Sequence, residues 1–270
     1  MYRKILVPVQ EPSEVEPLIR FASTLLDTDG EIRVLHVIPT TTLPQVTREW
    51  RASVHLVVPA HEAGAALDVR VDPEVRAATD VPGEILDSAE THGVDAILLT
   101  LRGNRRSRNP FVGHTASGVL HHASSAVLVL NRLALAADRI PRVLVPTFRS
   151  EAPASRMKLA EEIALRANGA PVITLSLGVA DARRGDEPGA AQSSRGVPIS
   201  HRRSVFPASI LGRRHRLPEL ILQAAARERY GLLLVGEDSA RTSGPLLTRR
   251  FLEELFRAAP CPVLALRDPA

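Results

Sequence analysis

The sequence predicts an α/β fold made twice over: two tandem, doubly wound, Rossmann-like parallel sheets of five strands each. Three observations predict it. Lys4-Ile5-Leu6-Val7-Pro8-Val9 returns 138 residues later as Arg142-Val143-Leu144-Val145-Pro146-Thr147. Ala126-Val127-Leu128-Val129-Leu130 returns 136 residues later as Pro262-Val263-Leu264-Ala265-Leu266. A repeat of that length is a duplicated domain, because solenoid units span only about 20–50 residues. Finally, short apolar runs alternate with helical stripes along both copies, the pattern of a parallel sheet covered on both faces.

Each element has its own reason. Lys4–Val9 is a continuously apolar strand. Val15, Leu18, Ile19, Ala22, Leu25 and Leu26 form one helical stripe over 15–26. A turn at Asp29-Gly30 leads into a second strand at Glu31–Ile38. Residues 44–64 read as a helix interrupted by Pro59, and Asp68–Arg76 as a third strand. Pro82 opens a helix that Gly93 ends. Ala96–Leu101 is the fourth strand, 102–113 a loop, Thr115–Ala123 a helix and Ala126–Leu130 the fifth strand. Residues 133–141 link a first domain, 1–132, to a second, 142–270. In the second, strands are expected at Arg142–Thr147, Pro171–Gly178, Ser204–Ser209, Leu232–Gly236 and Pro262–Leu266. Its helices are expected at Ala152–Ala167, Pro218–Arg229 and Pro245–Ala258. Glycines and prolines between Val179 and Pro198 predict a surface loop there.

Composition narrows the function classes. Aromatics are only 3% against 44% hydrophobic residues, so the cores must be aliphatic. The single cysteine, Cys261, rules out a disulfide framework and fits a reducing cytosol; between Pro260 and Pro262 it reads as a buried, inert thiol. No apolar run reaches the ~18 residues of a membrane span, and no signal-peptide pattern opens the chain, so the expectation is a cytoplasmic protein. The formal net charge of +4, almost all from arginine, permits anionic ligands without demanding nucleic acid.

The loop after the fourth strand carries the strongest chemical signal. Thr100-Leu101-Arg102-Gly103 is followed nine residues on by Gly113-His114-Thr115. An open parallel sheet places its ligand crevice at the carboxyl ends of the strands. Gly103 allows a tight turn and close backbone approach, and Gly113 precedes a helix whose free N–H groups and dipole favour an anion. Thr115 adds a hydroxyl, and Arg105, Arg106 and Arg108 add positive charge.

These features resemble the universal stress protein superfamily in tandem form: the opening strand-Pro motif, Val81-Pro82 leading into a helix, Asp95 before the fourth strand, and G-x9-G after it. The resemblance runs over the whole chain and is clearest over 1–132. It implies a regulatory protein rather than an enzyme, with ATP in the N-terminal domain. Pro8, Val9, Gln10 and Val37 would border the base, Leu99, Thr100, Arg102 and Gly103 the phosphates, and Gly113, His114 and Thr115 would close them. The sequence departs from the family's ATP-binding motif at Thr100, where a glycine stands, at His114, a Ser/Thr position, and at Gln10, an acidic position. The resemblance also implies that Ala126–Leu130 and Pro262–Leu266 meet as an intrachain pseudo-dimer; further pairing into a homodimer stays open.

The second copy has lost the motif. Gly236-Glu237-Asp238-Ser239 aligns with 100–103, Arg249 stands at the position of Gly113, and Phe148 replaces the base-side residue, while Gly244-Pro245 has the wrong spacing. Acidic Glu237 and Asp238 would repel phosphate, so this copy is expected to bind no ATP. The alternative for the whole chain is a scaffold without nucleotide, acting in stress response or transporter regulation. Elsewhere, six arginines and two histidines without an acidic residue between Pro188 and Pro218 read as a solvated segment or an anion-binding flap. Only Phe206 offers a stacking platform there, which disfavours nucleic acid. His114, His121 and His122 lack carboxylate or cysteine partners at metal-ligand spacing. Ser13 with Glu11 and Glu14 reads as helix capping, and hydrolase and transferase signatures are absent.

Overall fold

Ile5, Leu6 and Val7 offer water nothing to solvate, and burying them from both faces needs a strand with neighbours on either side. The computed structural model describes residues 1–40, 43–101, 113–131, 140–147, 152–179, 190–206, 217–228, 230–236 and 249–269. These fall into two compact units: residues 1–101 and 113–129 with 267–269, and residues 130–266. In each, the first strand of the repeat is flanked on both sides, and Ile5, Leu6 and Val7 are at most 1% exposed.

In the first unit the elements are β1 (Tyr2–Pro8), α1 (Val15–Ser23), β2 (Leu26–Pro39), α2 (Leu43–Leu67), β3 (Arg70–Ala78), α3 (Val81–His92), β4 (Ala96–Leu101), α4 (His114–His122) and β5 (Ala126–Asn131). The strand order is β3-β2-β1-β4-β5, with β1 parallel to both β2 and β4, and β2 parallel to β3. The second unit holds β6 (Val143–Thr147), α5 (Ala154–Arg166), β7 (Val172–Val179), β8 (Ala190–Gln192), β9 (Pro198–Phe206), α6 (Leu217–Arg227), β10 (Leu232–Gly236), α7 (Arg249–Ala258) and β11 (Val263–Arg267). Its order is β11-β10-β6-β7-β9-β8, and β8 alone is antiparallel to its neighbour.

Several expectations shift on contact with tertiary structure. The Asp29-Gly30 turn is a bulge inside β2, because Leu26 pairs with Tyr2 while Glu31 pairs with Lys4. Gly30 is needed there, since a Cβ would stand 2.5 Å from Leu26 Cγ. The helix of 44–64 runs on through Pro59, and the third strand begins two residues later than expected, after Asp68 turns in the left-handed region at φ 53°. In the second unit, the segment read as a loop before Pro198 contains β8. Gly196, at φ +80°, and the Ser193 hydroxyl, which accepts from the N–H groups of Arg195 and Val197, close a turn into β9. The strand expected at 204–209 is therefore β9, centred further upstream, and the second sheet gains a sixth strand. Residues 207–209, the first residues of the helix expected from Pro245, and most of the linker lie outside the described residues.

Gly93 ends α3 as its sequence position implies, at φ 58°, ψ 52°, with Val94 N–H donating back to the Ala89 carbonyl at 3.0 Å. The next residue, Asp95, ties β4 to β1. Its Oδ2 accepts from the N–H groups of Arg3 at 2.6 Å and Lys4 at 2.9 Å, and its own N–H donates to the Lys4 carbonyl at 2.9 Å. The outer strand β3 is guarded by charge, as exposed edges usually are. Arg33 pairs with Asp72 at 2.7 Å, and Arg76 bridges Glu74 at 2.6 Å and Glu84 at 2.8 Å.

Three outcomes follow from this framework. Asp95→Ala removes the acceptor of two backbone donors and is expected to cost about 1–2 kcal/mol in urea unfolding, with Asp95→Asn costing less because one oxygen remains. Partial burial pushes the Glu74 carboxyl up, but the Arg76 hydrogen bond and the charges of Arg76, His92 and Arg33 outweigh it and hold it below 4.5. A carboxyl that gives up its proton more readily when folded adds stability above its unfolded value and loses it as pH falls through the folded one. The urea midpoint should therefore drop as pH falls below 4.5, and less steeply in Glu74→Gln. Burial raises the thiol of Cys261 from 9.0 to about 11, so native labelling by a thiol reagent at pH 8 should be about a hundredfold slower than in the unfolded chain.

Candidate functional site

Parallel strands bring their carboxyl ends to one edge of the sheet, and the first unit gathers most of the sequence-selected residues there. Pro8 closes β1, and Val9 and Gln10 follow it. The β1–β4 register, Ile5 beside Ala96, sets Pro8 level with Leu99 and Val9 level with Thr100. Val37 lies on β2, two residues past Leu35, the partner of Pro8. Arg102 and Gly103 lie outside the described residues. The chain returns through α4 to β5, the neighbour of β4, so the start of α4 faces the same carboxyl edge. Gly113 caps that helix, and His114 and Thr115 open its first turn.

Gly113 is informative because the fold does not require it. Its φ of −57° and ψ of 162° suit any residue. A Cβ built there meets no atom of the described residues within 4 Å. The glycine instead leaves bare backbone and open space beside four helix N–H groups that lack intrahelical partners. Gly118, one turn on, is the opposite case. Its Cβ would lie 2.8 Å from Pro82 Cβ, so it lets α4 lie against α3.

Two residues outside the sequence-selected site, His36 and Glu14, shape the loop after β1. Val9 N–H donates to the Leu35 carbonyl at 2.9 Å, and the Val9 carbonyl accepts from His36 Nδ1 at 3.0 Å. A carbonyl only accepts, so the hydrogen of His36 sits on Nδ1. Glu14, read as part of a helix cap, is 2% exposed, and its Oε2 accepts from the N–H groups of Gln10 and Glu11 at 3.4 Å each. The capping pattern at Glu11–Glu14 was the signal for the second contact; nothing in the sequence marked His36. With the backbone of this loop so committed, the Gln10 side chain is exposed and the Val37 side chain is 9% exposed at the strand end.

Among the described residues, the corresponding edge of the second unit holds Arg156 against Gly236. Gly236, which stands at the position of the motif's first glycine, has a packing role instead. A Cβ there would stand 2.7 Å from Arg156 Nε and 3.0 Å from the Leu266 carbonyl oxygen. Glu237, Asp238, Ser239, Gly244, Pro245 and Phe148 lie outside the described residues, and Arg249 opens α7.

Two further sequence readings meet the structure here. Of the arginines between 188 and 218, Arg195 pairs with Glu162 and Arg202 with Glu228, while Arg213, Arg214 and Arg216 lie outside the described residues. His121 Nδ1 is bonded to the Ser117 carbonyl at 2.7 Å, while His114 is exposed at the other end of the helix. Among the described residues, no helix is long and apolar enough to cross a membrane.

Comparison with known proteins adds three findings. Residues 1–131 match the model of the Universal stress protein family. No match was found among curated proteins. The fold over nearly the whole chain is that of a universal stress protein from Archaeoglobus fulgidus DSM 4304, at TM-score 0.65 and 16% identity, covering 98% of this chain and 96% of that one. A functionally unknown protein from Pseudomonas aeruginosa PAO1 aligns at TM-score 0.61 and 14% identity over 99% of this chain and 93% of its own. The cytoplasmic domain of a prokaryotic cation chloride cotransporter aligns at 0.59 and 13% over 100% and 96%.

Proposed function

Because residues 1–131 match the model of the Universal stress protein family, we propose that the chain is a regulatory protein that binds one adenine nucleotide, ATP, in its first unit and none in its second. The observation that carries this reading is Gly113. It is a glycine whose backbone angles suit any residue and whose Cβ would touch none of the described residues, at the start of a helix. Free N–H groups and the helix dipole suit a phosphate there.

The remaining residues fit a nucleotide laid along the strand ends. In a parallel ladder, alternate residues turn their backbone groups to the same side. The Leu35 carbonyl meets Val9, so the N–H and carbonyl of Val37 face the same way, just beyond the end of β1. A donor and an acceptor side by side match the edge of adenine, and the Gln10 amide can add a second pair. Leu99, Thr100, Arg102 and Gly103 would run along the phosphates, with His114 and Thr115 at the helix start. These residues bind and orient; no positioned nucleophile or base accompanies them among the described residues. Regulation would work through the loop of Arg105, Arg106 and Arg108, presented differently to a protein partner when phosphates are held.

A second reading, an interaction protein without nucleotide, is favoured by Gln10, Thr100 and His114, which depart from the family's ATP-binding motif. The cotransporter's cytoplasmic domain shares the fold, which makes contact with a transporter one setting for that reading.

Titration calorimetry with ATP decides between them. The wild-type chain should bind one equivalent with Kd below about 1 mM, roughly −4 kcal/mol. Gly113→Arg should weaken binding at least tenfold, about 1.4 kcal/mol, while its Tm stays near wild type because the position is open. Wild-type protein that takes up no ATP at millimolar concentration would leave the interaction reading standing alone.

A further inference from the structure

Arg156 is the largest fully buried side chain of the second unit, 2% exposed, on the first inward-facing position of α5. Its Nη1 donates to the Pro146 carbonyl at 3.1 Å, at the carboxyl end of β6. Its Nε and Nη2 lie over Gly236, the last residue of β10, so closely that a Cβ on that glycine would be 2.7 and 3.0 Å away. The guanidinium therefore fills the carboxyl edge between the first and fourth strands of this repeat.

The first unit shows what the same places hold when the edge is left open. Its helix buries Val15, Leu18, Ile19 and Ala22, the spacing at which α5 buries Arg156, Leu159, Ala160 and Ile163. Register makes Thr100 the counterpart of Gly236, because Ala96 pairs with Ile5 as Leu232 pairs with Val143. One copy thus combines a short apolar side chain with a residue bearing a Cβ. The other combines a long cation with a glycine. Each pair fits itself and not the other: Arg over a Cβ would clash, and Val over a glycine would leave a void.

We infer that Arg156 is an in-chain occupant of the second unit's strand-end crevice, and that it, with Gly236, limits the chain to a single nucleotide. The count of one rests on the proposed first-unit site; the occupancy does not. With Nη1 on the Pro146 carbonyl and Nε and Nη2 packed on Gly236, the guanidinium takes up the volume that an incoming ligand would need.

The test is a thermal-melt cycle on the full chain with Gly236→Ala, Arg156→Lys and both, alongside ATP titration of the wild-type chain. Lysine keeps the charge, removes the Nη fork, and replaces the planar guanidinium by a flexible end that can turn away from Gly236. Gly236→Ala should lower Tm by several degrees in the wild type and by clearly less beside Arg156→Lys. An equal loss in both backgrounds overturns the occupancy. If Gly236→Ala does not fold alone, recovery of a folded protein in the double variant supports the inference, and failure of both while Arg156→Lys folds overturns it. Two equivalents of ATP bound by the wild-type chain overturn the single-site limit. Absence of ATP binding by wild type would instead sink the nucleotide reading and leave the cycle to judge Arg156.

Discussion

Everything in this molecule depends on strands that are apolar along their length and hydrogen-bonded on both sides. Such a strand cannot be left at a surface, so helices must cover both faces of the sheet, and connections must cross over to keep the strands parallel. All carboxyl ends of one sheet then emerge along one edge, and residues far apart in sequence, such as Val9, Val37 and Thr100, become neighbours of a common space. The same constraint leaves backbone groups at strand ends without ladder partners. Buried or fixed carboxylates supply them: Asp95 for the N–H groups at the start of β1 and Glu14 for those just past its end. Both ends of β1 are thus satisfied from outside the ladder.

Duplication gave the chain two such edges and allowed them to diverge. The difference is not confined to the phosphate loop. It reaches the inward face of the helix after the first strand, where Val15 in one unit corresponds to Arg156 in the other. Once a guanidinium lies there, the glycine beneath it is retained for steric reasons, and its likeness to a motif glycine is incidental. Identical residues in two repeats can thus answer to different physical demands.

Arginine dominates the positive charge, yet where it is described much of it is answered at short range. Arg33 and Arg76 are neutralised along β2, β3 and α3, and Arg195, Arg202 and Arg142 by Glu162 and Glu228. Exposed pairs of this kind add little stability each, from about 0 to 1 kcal/mol. Their effect is local: they keep outer strands charged and unattractive to further strands, and they consume charge that a polyanion would otherwise meet.

The periodicity of apolar residues was enough to determine the doubling, the alternation of strand and helix, the bounds of β4 and β10, and the glycine that stops α3. Those features follow from local preference and from burial patterns that any parallel sheet imposes. It was not enough for β8 and β9, whose pairing depends on a turn closed by Ser193 and Gly196, nor for the bulge at Gly30, which answers to Leu26. The candidate site divides in the same way. Gly113 could be singled out by spacing, because a helix start is a local event. His36, which holds the Val9 carbonyl, and Arg156, which fills the second edge, could not, because what each side chain does depends on a partner that only the folded chain brings within reach.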